Sequence, residues 1–330
     1  MVAYLTDALV ELGHDVTLFA GAEARTRATL VPTRDRAIRL DPYPLKSDLA
    51  AHLAMLQEVR ERADDFEVIH FHTDMIHFPF FEDRAAQTLT TVHGRLDMKD
   101  LAGAYRRWRR YPLVSISEDQ RRALAFANWI ATIYHGLPKD LYRFHPRSDG
   151  YAAFVGRISP EKRADRAIEV ARRAGRLLKI AAKVDDSDAP YFREVIGPLL
   201  AGPGIDFVGE VGDAQKDALL GGAAALLFPI DWPEPFGLVM IEAMACGTPV
   251  IAWDRGSVSE VVEHGVTGFI VNSEQEAIAA LQRIDDLDRR AIRQVFERRF
   301  SANTMARSYV QTYARLQQIQ APRIARLLRP

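Results

Sequence analysis

Cysteine is nearly absent from this sequence. Cys246 stands alone in 330 residues, which excludes an intramolecular disulfide framework and fits a reducing, cytoplasmic setting. Excess charge is missing as well: the formal net charge is −1, so nothing global attracts a nucleic acid. No apolar run is long enough to cross a bilayer, and the first residues lack a signal-peptide pattern. No Gly-x-Gly-x-x-Gly follows a strand-like segment, which argues against a nicotinamide dehydrogenase. What remains is 48% hydrophobic and 26% charged, the balance of a water-soluble globular chain with room for two domains.

Apolar segments of strand length alternate with helical ones throughout, which predicts parallel α/β sheets. In the first half the expected strands are Val16–Ala20, Ala37–Leu40, Val68–Phe71, Leu89–Val92, Leu113–Ser115 and Trp129–Ile133. In the second they are Ala152–Val155, Leu177–Ala182, Ile205–Val208, Ala225–Phe228, Pro249–Trp253 and Phe269–Val271. Tyr134–Tyr151, with two glycines and two prolines and little periodicity, reads as a linker. The domains expected are therefore 1–140 and 150–305, with a final helix over 306–330. The start is unusual: Met1–Gly13 reads as a helix before any strand, whereas a doubly wound domain opens on a strand and a turn. The first domain is thus expected to be N-terminally truncated, without its first strand.

The richest segment is Trp232-Pro-Glu-Pro-Phe-Gly-Leu-Val-Met-Ile-Glu242. It predicts a helix opening near Gly237, with Glu234 just before it and Glu242 inside an apolar run. A helix start offers unpaired N–H groups and a positive dipole end, a natural seat for phosphate. Two acids on either side could bond sugars at the two ends of a diphosphate. A helix that merely carries two solvated acids would leave Glu242 charged among apolar neighbours, which is costly. Gly247 marks the far end of this helix, and Cys246 before it reads as a small packed hydrophobe.

Glu-Pro-Phe-Gly with a second Glu seven residues on, together with Phe154-Val-Gly-Arg-Ile-Ser-Pro-Glu-Lys162 and Pro249-Val-Ile-Ala, resembles the retaining glycosyltransferases of family 4 over nearly the whole chain. Within that family it is most similar to the branch that includes a sugar transferase of avilamycin biosynthesis. The resemblance implies the GT-B fold, two Rossmann-like doubly wound domains facing a cleft, with the C-terminal helix returning to the first. It implies hexosyl transfer from a nucleotide sugar to an unknown small-molecule or glycan acceptor, without a cofactor. Carried over onto matching positions, Glu234 bonds the donor sugar with help from the Phe236 and Gly237 amides. Arg157 and Lys162 hold the diphosphate and Glu242 the ribose, with the N–H groups of Gly237, Leu238 and Val239 nearby. His93, ending a strand before Gly94, faces the donor sugar or the departing phosphate. Val208 lies beside the nucleobase, and Lys183 approaches the donor.

Independently of the resemblance, Ser159-Pro160-Glu-Lys162 predicts a helix start with Ser159 as cap. It puts Lys162 at the third helical position, where a cation opposes the helix dipole and a phosphate would justify it. Asp186-Ser-Asp188 matches a metal-binding triplet only trivially and reads as a solvated loop. His70 and His72 share one strand face, but no third ligand is evident and no metal is expected. Tyr105-Arg-Arg-Trp-Arg-Arg-Tyr111 could draw an anionic acceptor or a membrane surface; a solvated helix face accounts for it better. Two other functions are to be weighed: a nucleotide-sugar binder impaired by the missing N-terminal loop, and an epimerase of the same fold.

Overall fold

The computed structural model describes residues 1–41 and 48–327 and divides into two compact units. Unit 1 comprises Met1–Gly136 together with the chain from Ala302 onward, and unit 2 is Leu137–Ser301. The last three residues of the expected C-terminal range 306–330 lie outside the described residues. Helices of at least eight residues are numbered below.

Unit 2 is built on one six-stranded parallel sheet. Its strands are β7 (Ala152–Arg157), β8 (Leu178–Lys183), β9 (Ile205–Gly209), β10 (Ala225–Phe228), β11 (Val250–Trp253) and β12 (Gly268–Val271), in spatial order β12-β11-β10-β7-β8-β9. Helices α3 (Ala164–Arg173), α4 (Asp213–Gly222), α5 (Leu238–Cys246), α6 (Glu274–Gln282) and α7 (Arg289–Arg299) form the rest of the frame. The interior strands β10 and β11 are buried at every residue, as parallel strands covered on both faces must be. The chain runs outward from β7 in both directions, so the order reverses between β7 and β10. Sheets of this kind bind ligands beyond the carboxyl ends of the two strands at such a reversal.

Unit 1 opens with α1 (Val2–Glu11) and then carries two separate sheets. One pairs β1 (Thr17–Gly21) with β2 (Thr29–Arg34); the other is the parallel set β3 (Ile69–Phe71), β4 (Thr88–Thr91), β5 (Leu113–Ser115) and β6 (Trp129–Thr132). A longer helix, α2 (Asp48–Glu61), follows β2. The last helix, α8 (Ala302–Leu327), packs Met305, Ala306, Tyr309 and Leu316 with Leu5, Ala8 and Leu9 of α1 in one buried cluster.

Two local expectations are corrected. Ala37–Leu40 is not a strand; Ile38–Leu40 is one 3-10 turn, and the strand lies earlier, at Thr29–Arg34. That strand contains Pro32. Among the described residues β2 pairs with β1 alone, however, and an edge strand tolerates a residue with no N–H to give. Ser159–Lys162 does not open a regular helix either: Pro160–Lys162 is a single 3-10 turn, and α3 begins only at Ala164. Between them Arg163 takes a left-handed conformation at φ 54, rare for a residue with a side chain. Asp165 accepts from its guanidinium at 2.9–3.1 Å and Asp231 at 3.3 Å, contacts that hold the turn. Lys162 is therefore not in the first turn of α3, and the dipole conflict expected for it does not arise.

Candidate functional site

The reversal of strand order in unit 2 gathers the charged residues singled out from the sequence. β7 ends in Arg157 and leads into the turn carrying Lys162; β10 ends in Phe228 and leads to Trp232, Glu234 and Gly237. Gly237 caps α5 in the left-handed region at φ 77. A Cβ there would lie 2.7 Å from the Met240 methyl and 3.1 Å from the Phe228 ring, so only glycine turns the chain this tightly. Gly256, at φ 57, presses on the other side: a Cβ would fall 2.4 Å from both the backbone N and O of Glu234. Ser257 adds a backbone N–H to the Glu234 carbonyl (3.0 Å) and a hydroxyl to the Phe236 carbonyl (2.9 Å). Glu234 is thus fixed by its backbone before its side chain meets anything.

Both acids have cationic partners. Lys162 Nζ donates to the Glu234 carboxylate and sits 4.9 Å from the Trp232 ring centroid and 5.8 Å from that of Phe228. Glu242, on the fifth residue of α5, accepts from Lys216 Nζ of α4 at 3.0 Å; Asp213 lies 3.7 Å from the same ammonium. Burial makes these pairs tight, because the side chains of Glu234 and Glu242 keep only 11% and 12% of their exposure. Arg157 joins neither acid. Its guanidinium lies 2.8 Å from Glu161, 3.6 Å from Asp185 and 3.8 Å from Asp188. Lys183 pairs with Asp185 at 2.8 Å, a contact that raises its pKa. The Asp186-Ser-Asp188 turn thus faces cations through Asp188 itself and the preceding Asp185. The Phe236 side chain is buried, and Val208 is exposed near the end of β9.

The sequence reading missed Lys216. The signal was indirect: an acid set in an apolar run implies a buried partner, yet nothing near Glu242 in sequence supplies it. Cys246 is fully buried, and burial pushes its thiol up to about 12, so it packs and does not react. Gly247 closes α5 at φ 81, the expected left-handed end.

His93 belongs to unit 1, just past the end of β4. Its Nε2 lies 2.8 Å from His72 Nδ1, and its Nδ1 3.4 Å from His135 Nε2. Burial, followed by the nearby α-amino group, lowers the His93 pKa to about 4. His72 and His135 are held well below the ordinary histidine range, burial again coming first. His135 was hidden within the segment read as a linker. His70 is satisfied apart from this chain: Nδ1 meets the Tyr313 hydroxyl at 2.9 Å and Nε2 the Thr91 hydroxyl at 2.8 Å. Both its nitrogens are therefore engaged by hydroxyls of the protein. In Tyr105–Tyr111 the two tyrosines are buried and the four arginines exposed, with Arg106 stacked 4.6 Å over the Phe126 ring. Among the described residues no helix is long and apolar enough to cross a membrane.

Comparison with known proteins now bears on this geometry. The model of "Glycosyltransferase Family 4" matches residues 1–179, and that of "Glycosyl transferases group 1" matches residues 143–296. The chain belongs to glycosyltransferase family 4. A phosphatidyl-myo-inositol mannosyltransferase of Mycolicibacterium smegmatis is 27% identical over 312 residues, covering 82% of this chain and 75% of that relative. An alpha-maltose-1-phosphate synthase of the same organism is 32% identical over 125 residues, but there the chain spans only 36% of itself and 32% of the relative. Among solved structures, a glycosyltransferase involved in avilamycin A biosynthesis superposes with a TM-score of 0.70 over 96% of this chain and 89% of its own, at 23% identity. Anabaena HepE, solved with UDP-glucose, gives 0.73 over 95% of each chain at 18% identity. At such identities the likeness is one of fold, and the fold is GT-B, with two Rossmann-like domains.

Proposed function

We propose that this protein transfers a hexosyl group from a nucleoside diphosphate to an acceptor hydroxyl, with retention at the anomeric carbon and without a metal ion. One observation carries the reading: at the strand reversal of unit 2, a glycine-opened helix start is bracketed by Glu234 and Glu242, with Arg157 at the end of β7 and Lys162 on the turn that follows it. Backbone amides and two cations of this kind suit a diphosphate, and two fixed carboxylates suit the hydroxyls of a sugar and a ribose.

In this reaction the bond from the anomeric carbon to the diphosphate oxygen breaks, and its electron pair stays on the phosphate. The acceptor oxygen bonds to the same face of that carbon, and its proton goes to the departing phosphate oxygen. Lys162, Arg157 and the N–H groups from Gly237 to Val239 stabilise the charge that develops. Before a donor arrives, Lys162 is paired with Glu234 and Arg157 with Glu161, so each exchanges an internal carboxylate for phosphate oxygens. The Glu234 carboxylate released in that exchange is free to take sugar hydroxyls. HepE was solved with UDP-glucose, which makes that the first donor to assay here.

Lys162→Ala is expected to lower kcat/KM for sugar transfer by about 100- to 1000-fold, the scale of a lost donor to developing charge. Circular dichroism and thermal midpoint should stay close to those of the parent. Unchanged turnover in a folded variant would overturn the assignment.

A further inference from the structure

Tyr142 of unit 2 carries a hydroxyl with nothing to bond. The side chain is 1% exposed, and among the described residues its oxygen has no hydrogen-bond partner. Buried hydroxyls are nearly always paired, because one taken out of water alone loses its hydration without a replacement. A phenylalanine would fill the same space without that loss. The ligand-free protein thus has no use for this oxygen, and the use has to be sought in what the oxygen faces.

The chain around Tyr142 is fastened to α4 and α5. Arg293 of α7 donates from one nitrogen to the carbonyls of Tyr142 (2.9 Å) and Ala245. Arg143, the next residue, gives its backbone N–H and its guanidinium to Asp217 at 2.8 and 2.9 Å. Ala245 follows Glu242 by three positions on α5, and Asp217 directly follows Lys216 on α4. The phenol is therefore held beside the two helices that carry the Glu242–Lys216 pair. Burial, then the charges of Glu242 and Asp213, push the Tyr142 pKa up, so these carboxylates are the acids that face it. The Asp213 side chain is 63% exposed and open to water, whereas that of Glu242 is 12% exposed. Glu242 accepts from Lys216 through Oε1, and among the described residues no protein donor reaches its Oε2. A carboxylate has about four lone-pair positions, so Glu242 has room for further donors.

We propose that Tyr142 is a positioning residue for the nucleotide: when Glu242 takes the two hydroxyls of a ribose, the Tyr142 hydroxyl donates to the same carboxylate. Lys216, the phenol and the two ribose hydroxyls then occupy its lone pairs, and the rotation of the carboxylate is fixed from the protein side. Hydrogen bonds to an ionised acid are the strong ones, so the oxygen that is idle without ligand gains its partner in the complex. Tyr142 touches no substrate and acts through Glu242. The inference rests on the reading of Glu242 as the ribose acid.

Tyr142→Phe removes one oxygen and keeps the ring. Without ligand its thermal midpoint should be no lower than that of the parent; a clear drop would show that the hydroxyl already has a structural partner and would overturn the proposal. By calorimetry on the full chain, affinity for UDP, or for GDP or ADP where that is the diphosphate bound, should fall about fivefold in the variant, the scale of one hydrogen bond. For the 2′,3′-dideoxy analogue, parent and variant should bind alike, and in a Glu242→Ala background the substitution should cost nothing further. In turnover, donor KM should rise about fivefold with kcat within about twofold of the parent. Equal loss on both nucleotides, or loss on neither, overturns the role of Tyr142 and leaves Glu242 as the ribose acid. A parent that binds ribose and dideoxy forms equally, or binds neither, overturns the ribose assignment itself and the inference with it.

Discussion

The two units solve the same problem, placing polar groups at the ends of parallel strands, with opposite chemistry. Unit 2 uses full charges arranged in pairs: Lys162 with Glu234, Lys216 with Glu242, Arg157 with Glu161. Unit 1 uses neutral rings and hydroxyls: His72, His93 and His135 in one chain, His70 with Tyr313 and Thr91, His77 with Thr90. A buried ion pair holds its geometry by Coulomb attraction and exchanges partners readily when an anion arrives. A buried neutral network holds its geometry only while it stays neutral.

Acid should therefore separate the units more sharply than any substitution. Burial lowers the pKa of His70 and His77 to about 3 and of His93 to about 4, and holds His72 and His135 well below 6.5. A histidine whose pKa is depressed by folding binds its proton more readily when unfolded. Unit 1 is thus at full strength above about 6.5 and loses stability as pH falls from there toward 4, by up to about 1.4 kcal/mol per pH unit for each ring. In unit 2, Asp217 is pushed up by burial but more strongly held down by hydrogen bonds from Arg143, so its contribution fades only below the ordinary carboxylate range. Hydrogen exchange at pH 7, 5.5 and 4.5 should show peptides of residues 1–136 losing protection before those of 137–301. Simultaneous loss, or the reverse order, would break the contrast.

A substitution should break it from the other side. Gly256→Ala places a methyl group 2.4 Å from the Glu234 backbone at a positive φ. The strain of about 1–2 kcal/mol, plus the displacement of Glu234, should weaken nucleotide-sugar binding at least tenfold by calorimetry. Protection in residues 1–136 should be unchanged. Wild-type affinity in that variant would mean that the Glu234 backbone is not the fixed point of the site.

How much of this was legible in the sequence differs between the units for physical reasons. In unit 2 the strands announced themselves, because a parallel sheet covered on both faces demands continuous apolar runs, as in Ala225–Phe228 and Val250–Trp253. Glu234, Gly237 and Gly247 could be read because helix ends have local chemistry. Lys216 could not, since its meaning comes from a carboxylate on another helix. In unit 1 the strand Thr29–Arg34 was concealed by Pro32, whose cost depends on whether a neighbour needs its N–H. His135 was concealed by its setting among glycine and proline. A chain of rings assembled from three strand ends has no spacing in sequence to betray it.

Lys216 offers the finest probe of the charged unit. Lys216→Met removes the ammonium and leaves Glu242, with a side chain only 12% exposed, without its 3.0 Å partner. If Glu242 holds a ribose and Lys216 aims it, the loss falls on binding of the nucleotide and not on bond breaking. Donor KM should then rise about tenfold, near 1.4 kcal/mol, while kcat stays within about twofold. Lys216→Arg should recover most of the affinity, because a guanidinium can still reach the carboxylate. A fall in kcat at constant KM would move Lys216 from aiming the ribose to stabilising the transition state, and the paired acids of unit 2 would then no longer act as separate grips on the two ends of the donor.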